Sequence, residues 1–348
     1  MSHYRLIENT RLDARNTFAV PARAPLLVEV GDSAALPELF GYSMLRDGPV
    51  LVLGGGSNLL FAANPEGAVL TLGAQKIEII KDDGEYAVVR ADAGVDWHAL
   101  VLWTLGHGLA GLENLALIPG TVGAAPIQNI GAYGVDVRET VHVVEAFERD
   151  SGNLQRLDRD ACAFAYRDSV FKRQPDRYIV TAVEFALSRT PQLKLDYAGL
   201  GEELLAMGID GKSGVRPSQV AEAVCRVRRR KLPDPAVLGN AGSFFKNPIV
   251  PSSQADVLKH ANPALPIFSG IDANTRKLSA AWLIDACGWK GHRDGDAGVA
   301  ESHALVLVNH GSATGAQLLA LARRIAASVQ ERFGVALEPE PRIIGATW

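Results

Sequence analysis

The sequence predicts an α+β protein built from more than one domain. Short β-type runs dominate the first 190 residues, and seven of them are predicted strands: Leu26–Val30, Val50–Leu53, Ala68–Leu72, Ile77–Ile80, Tyr86–Ala91, Val141–Glu148 and Tyr178–Leu187. A helical stretch that begins near Asp96, a good N-cap residue, lies among them. The order is therefore not a regular βαβ alternation. The length of 348 residues favours two or three domains.

Helices with clear start and stop signals are predicted in the second part of the chain. Pro217 is a favourable first residue of a helix, and Gly334 is a favourable residue just beyond the end of one. The predicted helices are Pro217–Lys231, roughly Lys277–Ala286, and Thr314–Phe333. A buried strand is predicted over Ala304–Asn309, and a short tail follows the last helix.

Composition excludes several classes of protein. Apolar residues make up 47% and charged residues 21%, so the chain can bury a large core and is not expected to be disordered. The net charge of −4 argues against nucleic acid or a membrane surface as partner. Cys162, Cys225 and Cys287 are far apart and odd in number, which favours a reducing compartment and no zinc site. With neither a signal-peptide pattern nor a membrane-length apolar run, a cytoplasmic location is expected. The eight histidines show no HExxH motif and no i, i+4 pair, so no metal is expected.

Two glycine-rich stretches carry the strongest ligand signal. Leu53-Gly-Gly-Gly-Ser-Asn-Leu59 follows a predicted strand, and Ile118-Pro-Gly-Thr-Val-Gly-Ala-Ala125 leads into Asn129-Ile-Gly-Ala-Tyr-Gly134. Glycine lets backbone N–H groups approach a ligand closely, and successive N–H groups form an anion-binding concavity. Two such loops in one domain indicate a large phosphorylated ligand, such as a dinucleotide cofactor.

Other motifs resemble ligand sites but lack a residue or a neighbouring element that such sites need. Gly106-His-Gly-Leu-Ala-Gly111 has Rossmann spacing but follows a helical stretch, so a helix end and turn is favoured. Gly211-Lys-Ser213 lacks the first glycine of a phosphate loop, and Asp294-Gly-Asp296 lacks the last calcium ligand. The basic cluster Arg226–Lys231 fits equally a solvated helix end and a contact to a ligand diphosphate.

Three segments combine the groups of an active site. Gly239–Pro248 carries Ser243, which fits either a nucleophile or a proton donor to a carbanion. Tyr166–Lys172 contains Arg167, and a guanidinium suits a carboxylate. Glu338-Pro-Glu340 places two carboxylates on a stiff tail, and chemistry alone does not choose between them.

In combination these segments closely resemble the UDP-N-acetylenolpyruvoylglucosamine reductase family. The matching segments occur in the family's order and span nearly the whole chain: Gly54–Leu59, Ile118–Gly123, Gln128–Gly134, Tyr166–Ser169, Gly239–Pro248 and Leu337–Glu340. The resemblance implies an FAD-binding fold of the vanillyl-alcohol-oxidase type, made of two α/β subdomains, followed by an α+β substrate-binding domain. The implied domains are 1–70 together with 336–348, then 71–212, then 213–335.

The family resemblance also implies non-covalently bound FAD, with NADPH as hydride donor. The residues implied to bind FAD are Gly54, Gly55, Gly56, Ser57, Asn58, Leu59, Ile118, Pro119, Gly120, Thr121, Gly123, Asn129, Gly131, Ala132 and Tyr133. UDP-N-acetylglucosamine enolpyruvate is the implied substrate, and Tyr197, Lys231 and Asn247 are implied to contact it. We expect a monomer.

The implied reaction adds a hydride to C3 of the enolpyruvyl ether and a proton to C2. Ser243 is the implied proton donor, Arg167 would offset the negative charge of the enolate, and Glu340 would hydrogen bond to the same oxygens. Lys246 is a candidate helper of Ser243. The rival hypotheses are a flavoprotein oxidase of the same fold and a nucleotide-sugar binding protein without catalysis.

Overall fold

A computed structural model describes residues 3–190, 192–210 and 214–348. Its strands are β1 (Tyr4–Arg11), β2 (Arg23–Val30), β3 (Val50–Val52), β4 (Leu59–Phe61), β5 (Ala68–Leu72), β6 (Ile77–Asp82), β7 (Tyr86–Asp92), β8 (Gly131–Ala132), β9 (Val135–Asp136), β10 (Val141–Glu148), β11 (Asn153–Asp158), β12 (Tyr178–Ser188), β13 (Gly239–Ser243), β14 (Ile249–Pro251), β15 (Ile267–Ser269), β16 (Thr275–Leu278), β17 (Arg293–Asp294), β18 (Ala297–Val299), β19 (Val306–Asn309) and β20 (Arg342–Ile344). Its helices are α1 (Leu36–Leu39), α2 (Ser43–Arg46), α3 (Trp97–Gly106), α4 (Val170–Arg173), α5 (Leu200–Ala206), α6 (Pro217–Lys231), α7 (Ser252–Ala261), α8 (Ala280–Ala286) and α9 (Gly315–Phe333).

The chain divides into two compact units. The first comprises Met1–Thr10, Ala24–Gly55 and Glu66–Arg229, and the second comprises Arg11–Arg23, Gly56–Pro65 and Arg230–Trp348. The expected boundary between residues 212 and 213 lies outside the described residues. The division into three functional domains stays a prediction.

The first unit contains two larger sheets and the two-stranded pair β8-β9. One has the order β1-β2-β5-β3, in which β2, β5 and β3 run parallel. The other has the order β11-β10-β12-β7-β6 and is antiparallel throughout. All seven predicted strands are confirmed: two match the predicted ends, and the other five differ at one end by one to three residues. Apolar runs of this length bury well in a sheet.

Helices α3 and α6 supply much of the core of this unit. The Asp96 side chain accepts a hydrogen bond from the Ala99 amide at the start of α3, as its N-cap position predicts. Val220, Val224 and Val227 of α6 are buried in the same hydrophobic cluster as the antiparallel sheet. This packing explains why residues up to Arg229 belong to the first unit, although α6 was assigned to the substrate domain from sequence.

The second unit contains two small sheets, a two-stranded pair and α9. The sheets have the orders β13-β19-β18-β17 and β14-β16-β15, and β20 pairs in parallel with β4. Helix α9 begins at a capping box between Thr314 and Gln317 and ends at Gly334, which has φ +64°. Both ends agree with the prediction.

The helix predicted over Lys277–Ala286 is wrong at its start. Thr275–Leu278 pairs with β14 and β15 as a strand, and Ser279 then caps α8 by accepting a hydrogen bond from the Trp282 amide. Sequence reasoning also missed α7. Among the described residues, no helix combines the length and apolar character that crossing a bilayer would need.

Candidate functional site

In the first unit the two glycine-rich stretches lie against each other. A Cβ added to Gly54 would lie 2.6 Å from Thr121 Oγ1, and one added to Gly55 would lie 2.9 Å from Gly120 Cα. Only residues without side chains at 54 and 55 allow this approach. The second stretch is held in turn by hydrogen bonds from the Val122 amide to Val95 O at 2.9 Å and from the Gly123 amide to Ala93 O at 3.0 Å.

The exposed glycine backbone suits an anionic ligand. Gly54 and Gly55 are exposed, Gly120 and Thr121 are half-buried, and Pro119 is exposed. Within the described part of the chain, the amides of Gly54 and Gly55 donate to no protein acceptor. Free N–H groups beside a glycine turn are what a diphosphate requires. The residues present at this point therefore fit the diphosphate of FAD.

The rest of the first glycine stretch belongs to the second unit. Gly56 has φ +63°, and a Cβ there would lie 2.1 Å from Arg15 O. Asn58 Nδ2 donates to the backbone carbonyl of Glu340 at 3.4 Å, and Leu59 begins β4. Asn58 thus joins the first glycine stretch to the C-terminal tail.

The Asn129–Tyr133 segment holds Arg167 in the first unit. Nη1 of Arg167 donates to Asn129 O at 3.4 Å and to Asp136 Oδ1 at 3.2 Å, and Nη2 donates to Gly131 O. Asn129 is fully buried and fixes the loop from inside, because its Nδ2 donates to Ala165 O at 2.9 Å. The structure therefore gathers these sequence-predicted residues into one hydrogen-bonded group.

Tyr197 also meets a predicted residue of the first unit. Its ring packs edge-on against Tyr133, with ring centroids 5.0 Å apart, and Tyr197 is 46% exposed. Tyr133 is fixed from behind by Asn114, whose Nδ2 donates to Tyr133 O at 2.9 Å. Tyr197 therefore lies on an exposed loop beside one of the residues implied to bind FAD.

In the second unit, backbone hydrogen bonds bring the Ser243 segment and Glu340 together. Ser243 ends β13, and the next residue, Phe244, accepts a hydrogen bond at its carbonyl from the Glu340 amide at 2.8 Å. The Lys246 amide donates to Glu338 O at 3.0 Å, so residues 244–246 and 338–340 form a short antiparallel ladder. Gly242, at φ +68°, lies at the register shift within β13, directly before Ser243.

The two carboxylates of the tail differ in their surroundings. Glu338 is 70% exposed at its side chain and pairs with Lys246, Nζ to Oε2 3.1 Å. Glu340 is half-buried, with its amide bound to Phe244 and its carbonyl to Asn58. The ammonium expected to help Ser243 is thus paired with Glu338, which chemistry alone had left as a rival of Glu340.

Lys231 and Asn247 lie in the second unit. Lys231 is exposed at the end of α6, and its carbonyl accepts a hydrogen bond from Ser302 Oγ at 3.0 Å. Burial, with the charges of Lys231 and Lys290, lowers the pKa of His303, so that imidazole is neutral at pH 7. Asn247 Oδ1 accepts from the Ala280 amide at 2.9 Å, which fixes the side chain at the start of α8.

Sequence reasoning missed two charged residues next to the predicted ones. Asp136 pairs with Arg167, and it follows the quoted motif by only two residues, so its position was a usable signal. Arg228 donates from Nε to Leu117 O at 3.2 Å, directly before the second glycine stretch, and burial lowers its pKa. No pattern separates Arg228 from its basic neighbours in the sequence.

The other motifs have structural explanations. Gly106–Gly111 is the end of α3 followed by a turn, with Gly108 at φ +69°, as favoured from sequence. Asp294-Gly-Asp296 is the tight turn between β17 and β18. Gly211-Lys-Ser213 lies outside the described residues. The described residues contain no cluster of three or more His, Cys, Asp or Glu side chains able to hold a metal ion.

Comparison with known proteins decides the family. An FAD binding domain model matches residues 24–158, and a UDP-N-acetylenolpyruvoylglucosamine reductase C-terminal domain model matches residues 234–344. The UDP-N-acetylenolpyruvoylglucosamine reductase of Xanthomonas euvesicatoria is 57% identical over 99% of this chain and 98% of its own. The enzyme of that name from Xylella fastidiosa is 58% identical over 98% of this chain and 96% of its own. The chain belongs to the UDP-N-acetylenolpyruvoylglucosamine reductase family.

A solved structure of this reductase family has the same fold. The crystal structure of UDP-N-acetylenolpyruvylglucosamine reductase from Thermus caldophilus superposes with a TM-score of 0.68 at 27% identity, covering 98% of this chain and 99% of that one. The predicted fold class, a vanillyl-alcohol-oxidase-type FAD-binding fold followed by an α+β domain, is confirmed. As a member of the reductase family, the protein is an FAD-containing oxidoreductase.

Proposed function

We propose that this protein reduces UDP-N-acetylglucosamine enolpyruvate to UDP-N-acetylmuramate, with NADPH as hydride donor, in peptidoglycan precursor synthesis. The proposal extends the family membership to a substrate and to named residues. We further propose that the enzyme works as a monomer in the cytoplasm.

The observation that carries the residue assignment is the ladder between residues 244–246 and 338–340. It places Glu340 beside the Ser243 segment, although 97 positions separate them (340 − 243). It also gives Glu338 a different partner, Lys246. The ladder therefore supports the choice of Glu340, which the family resemblance alone had made.

FAD, when bound, supplies the relay of a hydride from NADPH to C3 of the enolpyruvyl group. The residues proposed to hold its diphosphate are the exposed glycines 54 and 55 and the adjoining Gly120–Thr121 turn. Their uncovered N–H groups and lack of side chains support this role.

Arg167 is proposed to offset the charge that develops on the substrate carboxylate as the enolate forms. A guanidinium fixed before the reaction stabilises developing charge without reorganising, and such groups contribute about 10²–10³ in rate. The side chain is 16% exposed and three acceptors hold it, which supports a preorganised role.

Ser243 is proposed to donate the proton to C2, and Glu340 to hydrogen bond to the same developing charge. A serine hydroxyl is a weak acid, so it can serve only a strongly basic enolate. Within the described residues the Ser243 hydroxyl makes no hydrogen bond that would compete for its proton. Tyr197 is proposed to fold over bound substrate, and Lys231 and Asn247 are proposed to contact its diphosphate or sugar, Lys231 through its exposed ammonium.

An anaerobic titration tests the proposal. The visible spectrum of the purified holoenzyme is recorded, NADPH is added, and UDP-N-acetylglucosamine enolpyruvate follows. We expect the flavin absorbance to bleach with NADPH and to return with the enolpyruvyl substrate. Bleaching that is reversed only by oxygen would reject the proposal in favour of an oxidase, and a colourless protein that binds UDP-sugars would reject catalysis altogether.

A further inference from the structure

We propose that Asp136 is a positioning residue for Arg167, holding the guanidinium in the orientation that meets the substrate carboxylate. This inference rests on the proposed function, because it assigns Asp136 a role in enolpyruvyl reduction alone. The residue follows the glycine-rich Asn129–Gly134 segment and starts a short 3-10 turn, Val137–Glu139.

The contacts of Arg167 show how it is held. Asp136 Oδ1 accepts from Nη1 at 3.2 Å, and the carbonyls of Asn129 and Gly131 accept from Nη1 and Nη2. The Asp136 side chain is 24% exposed and that of Arg167 is 16% exposed, so water screens this pair less than a surface ion pair. Asp136 supplies the only carboxylate among these three acceptors.

The backbone at Gly131 and at Arg167 has features that permit this contact. A Cβ on Gly131 would lie 2.0 Å from Asp136 Oδ1 and 2.5 Å from Arg167 Nη1, so glycine at 131 makes room for the pair. Arg167 itself has φ +53°, a conformation uncommon for a residue with a side chain, and its carbonyl accepts from Lys172 Nζ at 3.2 Å. The positive φ of Arg167 is a local strain of the kind found at functional sites, and it accompanies a side chain paired with Asp136. We infer that the direction of the guanidinium is important for function.

The side chain and the amide of Asp136 are both held by hydrogen bonds, so Asp136 can hold Arg167 in a defined position. Its side chain accepts from the Glu139 amide, and the Glu139 side chain accepts from the Asp136 amide at 3.0 Å, forming a capping box. A movement of this carboxylate away from its place would break the capping box. A misplacement of about 1 Å in a group that orients substrate can cost roughly 100-fold in rate.

Two substitutions separate this role from the capping role. Asp136→Ser keeps a capping oxygen but is too short to reach the guanidinium, and Asp136→Asn keeps shape and one acceptor but removes the charge. We expect both variants to retain flavin and to be reduced by NADPH at the wild-type rate. Reoxidation by UDP-N-acetylglucosamine enolpyruvate, measured anaerobically in single turnovers, should slow about 100-fold in Asp136→Ser and less in Asp136→Asn.

A double-mutant cycle with Arg167→Ala shows whether Asp136 acts through the arginine. Once Arg167 is gone, Asp136→Ser should cause no further loss, because the two residues work as a unit. Glu139→Gln is the matched control, since glutamine can still accept from the Asp136 amide in the capping box, while the charge that pairs with Lys194 is removed. It should react at the wild-type rate.

The outcomes distinguish this inference from the proposed function. Wild-type enzyme that is not reoxidised by the enolpyruvyl substrate would overturn both. Normal reoxidation of wild type together with an unimpaired Asp136→Ser variant would overturn only the role of Asp136. Equal slowing of the NADPH step, or a full further loss in the Arg167→Ala background, would show a general structural role and also overturn it.

Discussion

Arg167 in the first unit and Glu340 in the second are held in place by different means. Arg167 is positioned through its side chain, by a carboxylate and two carbonyls that lie 31 to 38 residues earlier in the chain. Glu340 is positioned through its backbone, by Phe244 O on one side and Asn58 Nδ2 on the other. One arrangement depends on which side chains surround the residue, and the other on which strands pair.

This difference predicts which substitutions each group tolerates. A guanidinium held by side chains can be displaced by changing a neighbour while the fold stays intact. A residue held by its own amide and carbonyl keeps its place whatever side chain it carries, because the ladder does not involve that side chain. Substitutions in the second unit should therefore report on chemistry, and those around Arg167 on positioning.

The largest effect is expected from Ser243→Ala. Because β13 and the ladder do not use the hydroxyl, the variant should keep its fold, its flavin and reduction by NADPH. Loss of a general acid costs about 10²–10⁴-fold, so enolpyruvyl reduction should fall by that amount in anaerobic stopped-flow measurements. Normal turnover would remove Ser243 from the mechanism.

The second-largest effect is expected from Arg167→Ala, with a loss of about 10²–10³ in the rate of flavin reoxidation at saturating substrate. The reason is the loss of charge stabilisation that is greatest in the transition state, so kcat should fall more than affinity. Reoxidation rates across a range of substrate concentrations separate the two quantities. An unchanged turnover number at saturation would contradict the assigned role.

Glu340→Gln should slow the same step by about 10²-fold, since an amide N–H is a weaker hydrogen-bond donor to the developing charge than a carboxylic acid O–H. The matched control is Glu338→Gln, on the same tail and in an exposed ion pair with Lys246. Such pairs contribute under about 1 kcal/mol, so activity and Tm should barely change. Equal losses in both variants would mean that the ladder, and not the Glu340 side chain, matters.

Gly131→Ala should have the smallest effect, about a 10-fold loss of enolpyruvyl reduction. The added methyl would meet Asp136 Oδ1 and Arg167 Nη1, and side chains can shift to relieve such a contact. Gly106→Ala, which meets no atom within 4 Å, is the control for a glycine replacement in the same unit. Wild-type kinetics in Gly131→Ala would show that Arg167 does not depend on a tightly packed loop.

Much of the fold could be predicted because its signals are local. The β-type runs, the Asp96 cap and the Thr314–Gly334 helix each depend on residues close in the chain, and the structure agrees with all of them. The start of α8 was mispredicted because Thr275–Leu278 has helical neighbours in sequence but strands β14 and β15 as partners in space. A short strand is decided by its partners, which a local pattern does not contain.

By itself the sequence determined the fold class, the family resemblance and the residue types that carry the chemistry: two glycine-rich stretches, an arginine, a serine and a pair of carboxylates. Only the tertiary structure decided which groups meet. It paired Glu338 with Lys246, set Glu340 beside the Ser243 segment, and gave Arg167 an aspartate that motif reading had passed over. The physical reason is distance along the chain: caps and periodic patterns act over a few residues, whereas ion pairs and ladders join segments that only folding brings together.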